Sequence, residues 1–145
     1  SYPKKAEEGL RLQSSFDPCI VSLNLFPGFN PQFLERIIQE EIAHGIIMRG
    51  FGPGDIPTIN QDILSLIKEA KAKNIPVVII SSCASGSTYL DLYETGKKAI
   101  EAGAISAKDM TLETTTVKLM WALAQTKKCE SIQEILHQNF AGEIA

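Results

Sequence analysis

The run VVIIS at 77–81 carries no polar alternation, the mark of a strand covered on both faces, as strands of a parallel sheet are. Two β-rich runs precede it, CIVSLNLF at 19–26 and IIMR at 46–49. One helix-period segment lies in each gap. In the first, Phe33, Leu34, Ile37, Ile38 and Ile42 recur at helical spacing, with Glu35, Arg36, Glu40 and Glu41 opposite them. Asn30 caps this helix, Pro31 takes its first position and Gly45 closes it. In the second gap a helix begins near Asn60, turns Ile63, Leu64, Ile67 and Ala70 inward, and ends before Asn74 and Pro76. Strands starting near 19, 46 and 77 with a helix between each pair make βαβαβ. Right-handed crossovers turn that into an open α/β parallel sheet with helices on both faces.

The last third is mostly helical. A short helix over Glu94 to Ala102 stops at Gly103, and AIS at 104–106 adds a small fourth strand, so the sheet has three to four. Thr111 opens a further helix in which Val117, Leu119, Met120, Trp121, Leu123 and Ala124 are apolar nearly all round. Such a helix is buried on more than one side. Ser131 and Glu134 have the spacing of a capping box for the final helix.

A chain of 145 residues suits one domain with its own core. A net charge of −3 supplies no basic footprint for nucleic acid, and no apolar run approaches the ~18 residues of a membrane span. Cys19, Cys83 and Cys129 are odd in number and widely spaced, which fits a reducing compartment and not a disulfide framework or a zinc site. The opening SYPKKAEEGLRLQ has no signal-peptide core. Residues 1–16 therefore read as a linker and 17–145 as the domain.

Ligands of open α/β sheets bind where strand carboxyl ends and helix N-termini converge. That edge carries FPGFN, RGFGPGD and SSCASGST. RGFGPGD, at 49–55, holds the G-x-G of a dinucleotide fingerprint, but Asp55 stands where the third glycine belongs and Pro53 removes a backbone donor. A phosphate cradle is disfavoured, and the bland alternative is a glycine-rich turn. Cys83 in SSCASGST has no base within reach: His44 ends the first helix, at the opposite edge of the sheet, a strand length of roughly 17–20 Å away. His137, in the last helix, has no visible link to these loops. Cys83 is either a packing residue or a ligand contact. Asp109, Thr111 and Glu113 surround a helix start, where acids are ordinary dipole partners, although Glu113 could also receive an amino group. Arg49, at the end of a buried strand, needs an acceptor: a ligand carboxylate would suit its fork, and an ion pair with Asp55 is the alternative. These features suit a small zwitterion and supply no self-contained catalytic machinery.

VSLNLFPGF, GIIMRGFGPGDIP, VVIISSCASG, YETGKKAIEAGAISAKDMTLETTTVKLMWAL and NFAGEI together resemble the C-terminal domain of cytoplasmic (type I) L-asparaginases. That domain is Rossmann-like or flavodoxin-like. The D subunit of archaeal glutamyl-tRNA amidotransferase, similar in KLMW and AGEI, is a close relative. The resemblance implies hydrolysis of L-asparagine to aspartate and ammonia without metal or cofactor, by a threonine in a T-G-G-T motif of a larger N-terminal domain. This chain contains no such motif, so the resemblance assigns it no catalytic residue and predicts that alone it is inactive.

The resemblance further implies a cytoplasmic homodimer or dimer of dimers, with loops of this domain facing a partner's active site. Asp55 stands in such a loop where the family usually has Asn. Some type I enzymes carry an allosteric asparagine site lined by an Arg at the end of this strand and a Cys after the next. Arg49 and Cys83 match those positions, and Glu113 is the third candidate contact. A stand-alone amino-acid-binding module is the alternative.

Overall fold

Continuous apolar sequence at 46–48 and 77–80 leaves no face of either strand fit for water, and both sit in the middle of the sheet. The computed structural model describes residue 9 and residues 11–50, 61–80 and 94–144. The elements in chain order are β1 (Ile20–Asn24), α1 (Pro31–Gln39), β2 (Gly45–Arg49), α2 (Gln61–Ala72), β3 (Val77–Ile80), α3 (Glu94–Ala102), β4 (Ile105–Ser106), α4 (Leu112–Gln125) and α5 (Cys129–His137). The sheet runs β1-β2-β3-β4, all parallel, with Ile46 beside Val77 and Val78 beside Ile105. β1 is an edge strand, and its exposed Ser22 and Asn24 match that place.

The expected architecture is present, but its two faces arise differently from the expectation. Sequential strand order with right-handed crossovers places every crossover helix on one side. Accordingly α1, α2 and α3 share one core with Ile46, Met48, Val77 and Ile79. The opposite face, carrying Ile47, Val78, Ile80 and Ile105, is covered by α4 and α5. The described strands thus contain no reversal of order, and the second face is closed by a C-terminal helix pair.

The helix ends correct two readings of the sequence. α1 stops at Gln39, not at Gly45: Glu41 adopts a left-handed φ of 50° while Ile42 N–H reaches Ile37 O. The same stop recurs after α2 with Asn74 and after α3 with Gly103, each placing its positive-φ residue just past the cap. Gly45 instead opens β2, where Leu123 Cδ1 and Leu119 Cδ2 of α4 approach so closely that a Cβ would lie 3.0 and 3.2 Å from them. α5 begins at Cys129, two residues before the expected Ser131 cap. Burial of Cys129, Ile132 and Leu136 fixes its phase, and Asn74 Oδ1 accepts the Cys129 N–H at 3.4 Å. The Asn30 cap is as read, accepting from Gln32 N–H at 3.0 Å ahead of Pro31. Phe33 and Ile42, placed on the inner stripe by periodicity, are more than half exposed, because the stripe that meets the sheet is Leu34 and Ile38.

Candidate functional site

Strand parity decides where Arg49 goes. Ile47 belongs to the α4–α5 face, so Arg49, two residues on, leaves the carboxyl end of β2 on that same side. Its backbone is fixed by Leu25 N–H donating to Arg49 O at 2.9 Å. Its Nε is buried and, among the described residues, has no hydrogen-bond partner. A buried N–H left unpaired costs about 1–3 kcal/mol, so this donor is poised for an acceptor.

α4 brings the complementary charge. Thr111 Oγ1 caps the helix by accepting from Thr114 N–H at 3.2 Å, which sets Glu113 in the first turn. The Glu113 carboxyl is held below its ordinary value, first by its own backbone N–H, then by the Thr111 hydroxyl, and also by the field of Arg49. Arg49 and Glu113 lie far apart in sequence, and the charge of Arg49 is the last and smallest of the influences on this carboxyl. Cys83 and Asp55 lie outside the described residues. A cation with an unpartnered buried donor at a strand end and an exposed carboxylate at a helix start are charges of the kind an α-amino acid would complement.

Two polar clusters escaped the sequence reading. Asp17 Oδ2 meets His44 Nδ1 and Lys127 Nζ, each at 2.7 Å, while Oδ1 accepts from Cys19 N–H at 3.1 Å. Burial pushes the Asp17 carboxyl up; hydrogen bonds from Lys127, His44 and Cys19 N–H outweigh it, and it rests at about 2. His44 therefore binds Asp17 at the amino-terminal edge, whereas sequence reading gave it to the end of α1. Its backbone N–H donates to Cys19 O at 2.7 Å, just ahead of β1. His137 fastens β4, its Nε2 lying 2.8 Å from Ser106 O.

The second cluster is Lys118, 7% exposed on the inward side of α4. Its Nζ donates to Gln138 O at 2.6 Å and to Glu143 Oε1 at 2.5 Å, and lies 5.4 Å from the Phe140 ring centroid. Glu143 also accepts from the N–H groups of Ala141 and Phe140. Lys118, then the Ala141 N–H, hold its carboxyl down at about 2. The signal was available: a lysine lies in the same stripe as Thr115, Leu119 and Ala122, all fully buried. Cys129 is buried too, and burial pushes its thiol up to about 11, so it is an inert packing residue.

Residues 20–136 match the glutaminase/asparaginase C-terminal domain family. This chain belongs to that family. An L-asparaginase of Thermococcus kodakarensis is 41% identical to this asparaginase C-terminal domain over 128 residues, which is 88% of this chain and 38% of that protein. The D subunit of the glutamyl-tRNA(Gln) amidotransferase of Aeropyrum pernix is 31% identical over 144 residues, 99% of this chain and 33% of that protein. Among solved structures, the thermostable L-asparaginase of T. kodakarensis superposes with a TM-score of 0.88 at 36% identity, covering 100% of this chain and 43% of that one. L-asparaginase I of Vibrio cholerae superposes at 0.79 with 27% identity, over 89% of this chain and 38% of that one. The domain thus spans well under half the length of these relatives. Among the described residues, no helix is long and apolar enough to cross a membrane.

Proposed function

We propose that this domain is the C-terminal part of a cytoplasmic L-asparaginase-like amidohydrolase, in which it supplies dimer contacts and a regulatory amino-acid site. Arg49 takes the α-carboxylate of asparagine or a related amino acid, and Glu113 takes its α-ammonium. Cys83 flanks the ligand from the loop after β3, and Asp55 faces the partner's active site. The observation that carries this reading is the buried Arg49 Nε, which has no hydrogen-bond partner among the described residues. Hydrolysis itself falls to a threonine of the preceding domain, so the 145-residue chain alone releases no ammonia from asparagine.

Calorimetric titration with asparagine, aspartate and glutamine tests the site. Binding of at least one is expected, weakened about tenfold or more by Arg49→Ala, because a charge-assisted hydrogen bond contributes about 1.5–3 kcal/mol. Silence in all three titrations refutes it. A second reading is the corresponding domain of a tRNA-dependent amidotransferase's D subunit. Its support is the reach of that match, which covers 99% of this chain against 88% for the L-asparaginase. The upstream sequence distinguishes the two, since the D subunit carries a further domain ahead of its threonine motifs.

A further inference from the structure

The outer side of α4 forms one wall of a cleft of about 580 Å³ whose apolar lining is Phe16, Val117, Trp121 and Phe140. Val117 is 56% exposed, and Phe16 and Phe140 are each 50% exposed. Trp121 and Phe140 meet edge to face, with centroids 5.3 Å apart. The Lys118–Glu143 pair holds the C-terminal turn in place behind them, so the cleft has a fixed wall. Two of these side chains come from α4, one from the segment before β1 and one from the C-terminal turn, and a contiguous exposed apolar patch of this kind marks an interaction site.

We propose that this cleft is the docking face for the polypeptide that precedes the domain in its relatives. The inference rests on the reading above, that the chain works as the C-terminal part of a larger enzyme. Two observations select this occupant. The matched relatives extend well beyond the region they share with this chain, and the family is defined as a C-terminal domain, so the remainder lies upstream. The segment that leads upstream is already fastened across α4: Asp17 N–H donates to Met120 O at 2.9 Å, and Trp121 Nε1 donates to Gln13 O at 3.1 Å. Phe16, between those two anchors, lines the cleft itself. The Asp17 carboxylate locks the strap from below through His44 and Lys127. Polypeptide arriving along this strap is delivered to the cleft. Glu113 also lines it, so the docked domain reaches one member of the amino-acid site.

A second cleft of about 590 Å³, lined by Phe26, Phe33 and Ile42 beside β1, has no such strap among the described residues and serves as the internal control. The test places this chain in the T. kodakarensis L-asparaginase in exchange for its matched region. Hydroxyl-radical footprinting, read residue by residue, then compares that fusion with the free 145-residue chain. Oxidation of Trp121 and Phe140 is expected to fall about fivefold in the fusion, as at water-excluding interface cores, with Phe26 and Phe33 unchanged. Val117→Glu, at an exposed position, should restore most of that oxidation in the fusion and leave the free chain's circular dichroism unaltered. Equal oxidation of Trp121 and Phe140 in both proteins overturns the proposal. So does protection in the free chain that grows with its concentration, which would assign the cleft to a second copy. Protection without ammonia release by the fusion upholds the docking face and tells against amidohydrolysis.

Discussion

Replacing Lys118 by methionine keeps most of its volume and removes a cation that is nearly sealed from water. The loss strands two acceptors, the Gln138 carbonyl at 2.6 Å and the Glu143 carboxylate at 2.5 Å. Breaking a buried pair from one side costs about 3–5 kcal/mol. Glu143 is 19% exposed and keeps the N–H donors of Phe140 and Ala141, so the low end applies, about 3 kcal/mol. Glu143→Ala leaves the ammonium buried with one carbonyl and costs a similar amount. The double variant has no orphaned charge, so its loss should fall short of the sum by about 2 kcal/mol. Urea unfolding, followed by circular dichroism and by the fluorescence of Trp121, the chain's single tryptophan, measures all three. Each single change should lower the midpoint by about 1–2 M. The pH dependence is a second check. Glu143 sits at about 2 in the fold against an ordinary 4.5, so its stabilisation is complete above 4.5 and is lost as pH falls through 2. The gap between wild type and Glu143→Ala should narrow across that window. A coupling below about 0.5 kcal/mol, or a gap unchanged from pH 6 to 3, would refute the account of this pair as a buried structural clamp.

Two further outcomes follow from the strap and the sheet. Asp17→Asn should cost about 2 kcal/mol at pH 7, from a carboxyl held at about 2 against an ordinary 3.8. Because the folded value is the lower one, that loss should fade as pH drops from 3.8 through 2; thermal melts of both proteins across this range decide it, and a pH-independent difference contradicts the clamp. Gly45→Ala should destabilise by about 1–3 kcal/mol through overpacking against Leu119 and Leu123, without any change in backbone conformation, since Gly45 has no positive φ. A neutral or stabilising result in the melt would show that α4 can move off β2.

The sheet was legible because its two central strands carry no compromise: four consecutive apolar residues at 77–80 cannot serve an amphipathic helix or an edge strand. The helix ends were less so. Asn74 and Gly103 advertise a left-handed stop, but Glu41 takes the same conformation with nothing in its chemistry to announce it. The Ser131–Glu134 spacing fitted a capping box, yet three buried positions of α5 and a side chain from the α2–β3 turn set the start earlier. Tertiary contacts outweighed the local cap. Helices on both faces were anticipated for a reason that does not hold, since the crossovers cover only one face and the other waits for α4 and α5.

The candidate site divides along the same physical line. Sequence singles out Arg49 because a guanidinium at the end of a buried strand needs an acceptor; alternation gives its face, and its Nε lies buried without a partner among the described residues. Spacing links it to no partner, since no rule joins a strand end to a helix start so far along the chain, and Glu113 entered beside it only through the resemblance. KLMW and AGEI stood out in the sequence only as features shared with a family. In the structure they are the two halves of one clamp, Lys118 from the first and Glu143 from the second. The clamp fixes the C-terminal turn against the helix that presents Glu113 and walls the cleft beside it. A lysine in an apolar stripe and a glutamate in a short terminal turn are each unremarkable alone. Their burial together explains why α4 tolerates a charge on its inward side, and it gives the strap, the cleft and the helix start at Glu113 one shared support.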